Sequence, residues 1–225
     1  MRIGIIGAGR IGGNLGTQLG RAGHEVMFSF SRDRRSLEAL AEGVPGASAG
    51  HPAEAAAFGD AVVLAVPWTT IDTALGQAGS LEGRVVIDTT NQFGPQGLEP
   101  LPDGTPAAQL NAGRMPGARL ARAFNTLTAD YQRDVAEGRV DGPVAMFFAS
   151  EDEAATSAAQ ELIRACGFEP VRIGGWREVS LMEAPRRDGG VYGEAYRPED
   201  ARRIADAAAK DPDRAGALAT ELRIR

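Results

Sequence analysis

Residues 7–12 read Gly7-Ala8-Gly9-Arg10-Ile11-Gly12, the spacing G-x-G-x-x-G. It directly follows an apolar run and opens a helical pattern, which is the context its chemistry requires. A glycine at position 7 permits a tight turn, one at 9 lets the backbone come close to a diphosphate, and one at 12 lets the helix lie against the strand. The free amides and the positive end of the helix then hold an anion. Gly7, Gly9, Arg10, Ile11 and Gly12 are therefore the candidate diphosphate contacts. Gly12, Gly16 and Gly20 continue at intervals of four and put a bare stripe on one helix face. Each mid-helix glycine costs about 0.5–1 kcal/mol against alanine, so the stripe predicts unusually close packing on a sheet.

A site selective for an unphosphorylated ribose places Asp or Glu at the end of the second strand. Here that stretch is Ser29-Phe30-Ser31-Arg32, with no acid before Asp33. A hydroxyl and a guanidinium suit a 2′-phosphate, which Arg binds bidentately. Arginines at a helix start also oppose the macrodipole and so need another reason to be there. These residues favour NADP, with Ser31 and Arg32 as primary contacts and Arg34 or Arg35 as seconds.

Other chemistries lack their residues. Of 24 basic residues only Lys210 is a lysine, in an Ala/Arg/Asp-rich tail, so a Tyr-x-x-x-Lys pair is absent. His24 and His51 lie in no ligand-spaced cluster with Cys166, and no metal is expected. Cys166, at a helix end before Gly167, reads as a core thiol.

Strands at 2–6, 25–30, 60–66, 84–88, 119–124, 144–149 and 171–173 position these groups. Helices at 10–22, 34–41, 52–58, 69–78, 130–137 and 151–165 intervene, Asp33 capping the second, while 91–106 reads as loop. Such alternation implies parallel pairing and a doubly wound, mostly parallel α/β (Rossmann) sheet. We expect a nucleotide-binding domain over 1–175 and a short helical and loop extension over 176–225, with an Ala-rich helix at 200–210. That tail could cover the crevice or a dimer neighbour. Composition narrows the class further. The 225 residues are 43% hydrophobic and 24% charged, as in ordinary globular proteins. The formal charge of −6 argues against a nucleic-acid partner. No apolar run approaches the roughly 18 residues of a membrane span, and no signal peptide is expected. A single cysteine points to a reducing compartment, hence a cytoplasmic location.

Four segments, Gly7 to Gly13, Ser31-Arg32, Val66-Pro67-Trp68 and Ala123-Phe124-Asn125-Thr126, resemble in order and spacing the NADPH-dependent deazaflavin-coenzyme (F420) reductases. The oxidoreductase domains of transmembrane metalloreductases are similar. The likeness covers about residues 1–183. It implies a Rossmann fold and hydride transfer between NADP(H) and F420 at the carboxyl ends of the strands; separately from the resemblance, a homodimer is expected. It further implies that Pro67 and Trp68 lie beside the dinucleotide and that Thr90 and Asn91 border the nicotinamide. Phe124, Asn125 and Thr126 would form the far wall, with Asn91, Asn125 and Thr126 as the catalytic candidates. On the residues alone, Pro67-Trp68 also fits a helix start with a core aromatic. Asp88 fits a cap or structural acceptor better than a catalytic acid, and Asn125 also fits a loop-stabilising role.

Two departures stand out. After Pro185 the chain reads Arg186-Arg-Asp-Gly-Gly-Val-Tyr192, polar where that family has an apolar segment against its second coenzyme, and Phe30 replaces a small polar residue. The first departure admits an alternative, NADPH-dependent reduction of a small imine, carbonyl or other organic substrate, with Tyr192 and Tyr196 as proton donors or stacking rings, although the segment fits a surface turn better. A further alternative is a nucleotide-binding sensor or partner subunit without catalysis.

Overall fold

The computed structural model describes residues 1–185, 190–210 and 212–224. The first half runs β1 (Arg2–Ile6), α1 (Arg10–Arg21), β2 (Glu25–Ser29), α2 (Arg34–Glu42), β3 (Ala47–Ala49), α3 (Pro52–Phe58), β4 (Ala61–Leu64), α4 (Ile71–Ala78) and β5 (Val85–Asp88). The second half runs β6 (Phe93–Gly94), β7 (Gly97–Leu98), α5 (Ala107–Arg114), β8 (Arg119–Ala123), α6 (Ala129–Ala136), β9 (Ala145–Ser150), α7 (Glu153–Ala165), β10 (Glu169–Gly174), α8 (Pro198–Ala208) and α9 (Pro212–Glu221). Eight strands form one sheet in the order β10-β9-β8-β5-β4-β1-β2-β3, and β6 and β7 form a separate antiparallel hairpin.

Side chains alternate across the strands and serve two apolar layers. Ile3 and Ile5 of β1, Val63 of β4 and Phe148 of β9 join Leu15, Leu19, Leu37 and Leu162 of α1, α2 and α7. Ile6, Val62, Leu64 and Val86 face the other way, onto Ala56, Ile71 and Ala74 of α3 and α4. Beyond them Phe147, Ala149, Val171 and Ile173 pack on Ile204, Ala208, Ala215 and Ala219 of α8 and α9. The tail therefore covers a face of its own sheet. The sheet is doubly wound and mostly parallel, as expected.

The glycine stripe packs as its spacing predicts. A Cβ at Gly12 would meet the Gly7 carbonyl oxygen at 1.9 Å, one at Gly16 the Phe28 ring at 2.2 Å, and one at Gly20 Val44 at 2.3 Å.

Three elements differ from the expectation. β9 runs antiparallel to β8: α6 packs on α1 rather than crossing the sheet, so the chain enters β9 beside the end where β8 left. β3 is an additional parallel edge strand beside β2. The stretch read as loop over 91–106 holds the β6–β7 hairpin and a short 3-10 turn over Pro102–Gly104, with α5 directly after.

Candidate functional site

The carboxyl ends of β1, β2 and β4 open into a cavity of about 940 Å³. Gly7 makes the turn out of β1 at φ 108°, and its N–H donates to the Ser29 carbonyl oxygen at 3.0 Å. The Ser29 hydroxyl in turn donates to the Ile5 carbonyl oxygen at 2.8 Å, so β1 and β2 leave the sheet in fixed relation. A Cβ at Gly7 would strike the Ala65 carbonyl oxygen at 2.4 Å. Gly9 differs: its φ is −79° and a Cβ there would meet nothing within 4 Å. The protein itself does not require glycine at 9; a molecule lying on that backbone would. Gly9 also begins α1 without a side-chain cap, and no acid occupies the first turn. The leading amides and the positive helix end are thereby left for an anion.

Ser31 and Arg32 are exposed on the cavity lining. The Ser31 hydroxyl oxygen accepts from the Asp33 N–H at 3.2 Å. Asp33 caps α2, accepting from the Arg35 N–H at 3.0 Å and the Ser36 hydroxyl at 2.6 Å. These bonds, the Ser36 hydroxyl foremost, hold its carboxyl below the usual carboxylate range. Arg34 pairs with Glu38 at 2.7 Å, whereas Arg32 forms no ion pair among the described residues. Arg35 is exposed but lies outside the cavity lining, as do Arg10, Ile11 and Gly12. Arg10 reaches instead across to Asp130 of α6. Pro67 is on the lining; Trp68 turns into the core at 8% exposure with Arg114 stacked 4.5 Å from its ring centroid. A dinucleotide fits this cleft by volume, by the room above Gly9 and by the unpaired cation at its rim.

The ends of β5 and β8 are built differently. Asp88 and Arg122 face each other in register. The Asp88 carboxylate accepts from the Arg122 guanidinium at 2.7 Å, the Asn111 amide at 2.9 Å, and the Thr90 N–H and hydroxyl at 2.9 and 2.8 Å. Arg122, fully buried, also donates to the Thr90 carbonyl oxygen at 2.6 Å and lies 3.2 Å from Glu183. Glu183 accepts from the N–H groups of Ala107 and Ala108 at the start of α5. The Asn91 amide donates to the Asn125 carbonyl oxygen at 2.9 Å, and the Asn125 amide donates to that of Met182 at 2.6 Å. Thr90, Asn125 and Thr126 are 3% exposed, and the Thr126 hydroxyl faces the Met146 sulfur. The structure brings Thr90, Asn91 and Asn125 into one network and does not put them or Thr126 on the cavity lining. Asp88 is a structural acceptor. The sequence reading missed Arg122, Asn111 and Glu183; an arginine at 122, between alanines in the interior of a strand expected over 119–124, was the available signal.

Remaining candidates resolve locally. Tyr196 is a core residue, 1% exposed, donating to the Ala219 carbonyl oxygen at 2.9 Å and edge-on to Phe147. It is therefore no proton donor for a substrate. Tyr192 is half-buried, and the adjoining residues 186–189 lie outside the described residues. Burial pushes the Cys166 thiol up to about 12. His24 is lowered by burial and by the amino terminus. Among the described residues no His, Cys, Asp and Glu cluster could hold a metal, and no helix is long and apolar enough to cross a membrane.

The family model for NADP oxidoreductase, coenzyme F420-dependent, matches residues 2–92. The match covers less than half of the chain. It spans the glycine turn, Ser31-Arg32, Pro67 and the β5 end. Among solved structures, a hypothetical protein of Sinorhizobium meliloti is similar at 27% identity and TM-score 0.72, over 83% of this chain and 91% of that one. A protein of Arthrobacter sp. FB24, named as a candidate F420-dependent NADP-reductase, is similar at 24% identity and TM-score 0.66, over 80% and 87%. A reductive aminase from Aspergillus terreus in complex with NADPH and ethyl levulinate shares 18% identity at TM-score 0.55, over 77% of this chain and 55% of that one. The last two likenesses are of fold.

Proposed function

We propose that this chain is an NADP(H)-dependent oxidoreductase that exchanges hydride with a deazaflavin-type coenzyme. The observation that carries the reading is the cleft over Gly9, open where a Cβ would point and edged by the unpaired Arg32, within a segment of the F420-dependent family. When bound, NADP(H) supplies or accepts the hydride; the protein needs mainly to position it and exclude water. Gly7 and Gly9 hold the diphosphate on the α1 amides, and Ser31 and Arg32 receive the 2′-phosphate. Phe93, on the cavity lining and 45% exposed, and its hairpin partner Leu98, 43% exposed, offer an apolar edge to a planar second ring. Mixing protein, NADPH and F420 tests the acceptor: loss of the oxidised deazaflavin's visible absorbance is expected. Absence of turnover at saturating NADPH contradicts it.

A second reading rests on Tyr192. Its hydroxyl makes no hydrogen bond to a described residue. Burial raises its pKa, against the pull of the nearby Arg122 charge. Gly193 and Val191 pin it between Thr126 and Leu181 through backbone bonds of 2.8 and 2.7 Å. On this reading Tyr192 holds the proton that a small imine or carbonyl takes up as hydride reaches its carbon. Tyr192→Phe then lowers turnover of such substrates and leaves F420 turnover unchanged; equal rates with both proteins remove the tyrosine from the chemistry.

A further inference from the structure

We propose that the Phe30 ring is the face on which the adenine of the bound coenzyme stacks, which makes Phe30 a coenzyme-binding residue of the cleft. The proposal rests on the reading that the cleft holds NADP(H). Phe30 lines the cavity directly before Ser31 and Arg32. Adenine is joined to the same ribose whose 2′-phosphate those two residues would hold, so it must lie within reach of the residue beside them.

The backbone gives the second observation. Phe30 sits at φ 56°, one of two non-glycine residues with positive φ among the described residues; the other is Phe124 at φ 60°. A bulky residue in the left-handed region is a strained choice, where Gly or Asn would turn the chain with less strain. Phe124 is explained by packing, since it is 1% exposed within the core. Phe30 differs: it is only partly buried, and it lines the cavity as well as packing against the layer of β4, α3 and α4. Phe30 thus adds an aromatic side chain to the cavity lining while it packs on the apolar layer beneath. A base offers such a ring a π-face, and removing the stack weakens binding by about 5- to 100-fold. Phe93 is the other phenylalanine on the lining, but it follows β5, on the opposite side of β1 from β2.

Calorimetry with NADPH, NADH and 2′,5′-ADP on the wild-type protein, Phe30→Leu and Phe30→Tyr tests the proposal, with thermal melts to confirm folding. Phe30→Leu is expected to weaken all three ligands by one common factor within about 5- to 100-fold, because all carry adenine. Phe30→Tyr, which keeps the ring, stays within about threefold of the wild type. An unchanged 2′,5′-ADP affinity in Phe30→Leu, or a loss confined to NADPH, overturns the proposal. A wild-type protein that binds no pyridine coenzyme overturns the underlying reading instead. Should Phe30→Leu fail to fold, transferred NOEs from adenine H2 and H8 to phenylalanine ring protons decide the matter. Their persistence in Phe93→Leu supports Phe30, and their loss there assigns the contact to Phe93.

Discussion

At the ends of β1 and β2, Gly9 at the start of α1 and Arg32 line a cavity, and among the described residues no side chain caps the first and no ion pair holds the second. At the ends of β5 and β8, by contrast, Asp88, Thr90, Asn111, Arg122 and Glu183 hold one another, and Asn91 and Asn125 close the network on backbone carbonyls. The first region leaves its polar groups open to the cavity, where the proposed coenzyme would lie. The second uses them to fix three strand-end segments and the start of α5 with respect to one another. Glycine marks the same contrast: a Cβ at Gly12 collides with protein, while one at Gly9 enters open space. A polar or glycine-rich strand end is thus a ligand site only where its groups lack protein partners. Position at the carboxyl end of a strand is not enough.

The comparison breaks most visibly at Arg122. Arg122→Ala leaves Asp88 and Glu183 buried without their cation, and should destabilise the protein by about 3–5 kcal/mol in denaturant unfolding. NADPH affinity of the folded fraction should change little. A stable Arg122→Ala protein that binds NADPH poorly would instead place the network in the ligand site. Gly9→Ala reverses the pattern. Its φ suits alanine and nothing blocks the methyl, so stability should hold within about 0.5 kcal/mol, while NADPH affinity falls by about tenfold or more, a loss of about 1.4 kcal/mol or more in binding free energy. Unchanged affinity would mean that the diphosphate does not lie on that backbone.

Smaller effects sharpen the contrast at the core. Tyr196→Phe deletes one buried hydrogen bond and should cost about 1 kcal/mol of stability, with turnover unaffected. Cys166 supplies a pH test. Its folded pKa, about 12, lies above the ordinary thiol value, so the protonated form is the one favoured by folding. Stability is then full below the unfolded thiol pKa and is lost as pH rises toward the folded value, by up to about 1.4 kcal/mol per unit. Cys166→Ala should flatten the fall in stability above about pH 9 relative to wild type. Identical slopes would show that the thiol does not titrate on unfolding.

Local signals made the nucleotide half legible. Gly7 to Gly12 lies within one turn, the stripe through Gly20 follows a fixed interval, and the Ser31-Arg32 pair sits at the expected strand end. The apolar runs of β1, β4 and β9 announced buried strands. What stayed hidden is non-local or short. Asp88, Arg122 and Glu183 span nearly a hundred residues and meet only because β5 pairs with β8. β3 is three small residues, Ala47-Ser48-Ala49, with no periodic pattern. The antiparallel course of β9 depends on where α6 docks, a tertiary contact that no residue spacing records. Trp68 could be read as cofactor wall or as core; Arg114, 46 positions away, stacks on it and helps decide for the core.

Calorimetric titration of wild-type and Arg32→Ala protein with NADPH and NADH tests the central claim most directly. The account predicts that wild type prefers NADPH by about 10- to 100-fold, the value of one charged hydrogen bond of about 1.5–3 kcal/mol, and that Arg32→Ala removes that preference while NADH binding is retained. Equal affinities in the wild type, or an equal loss of both coenzymes in the variant, would contradict it.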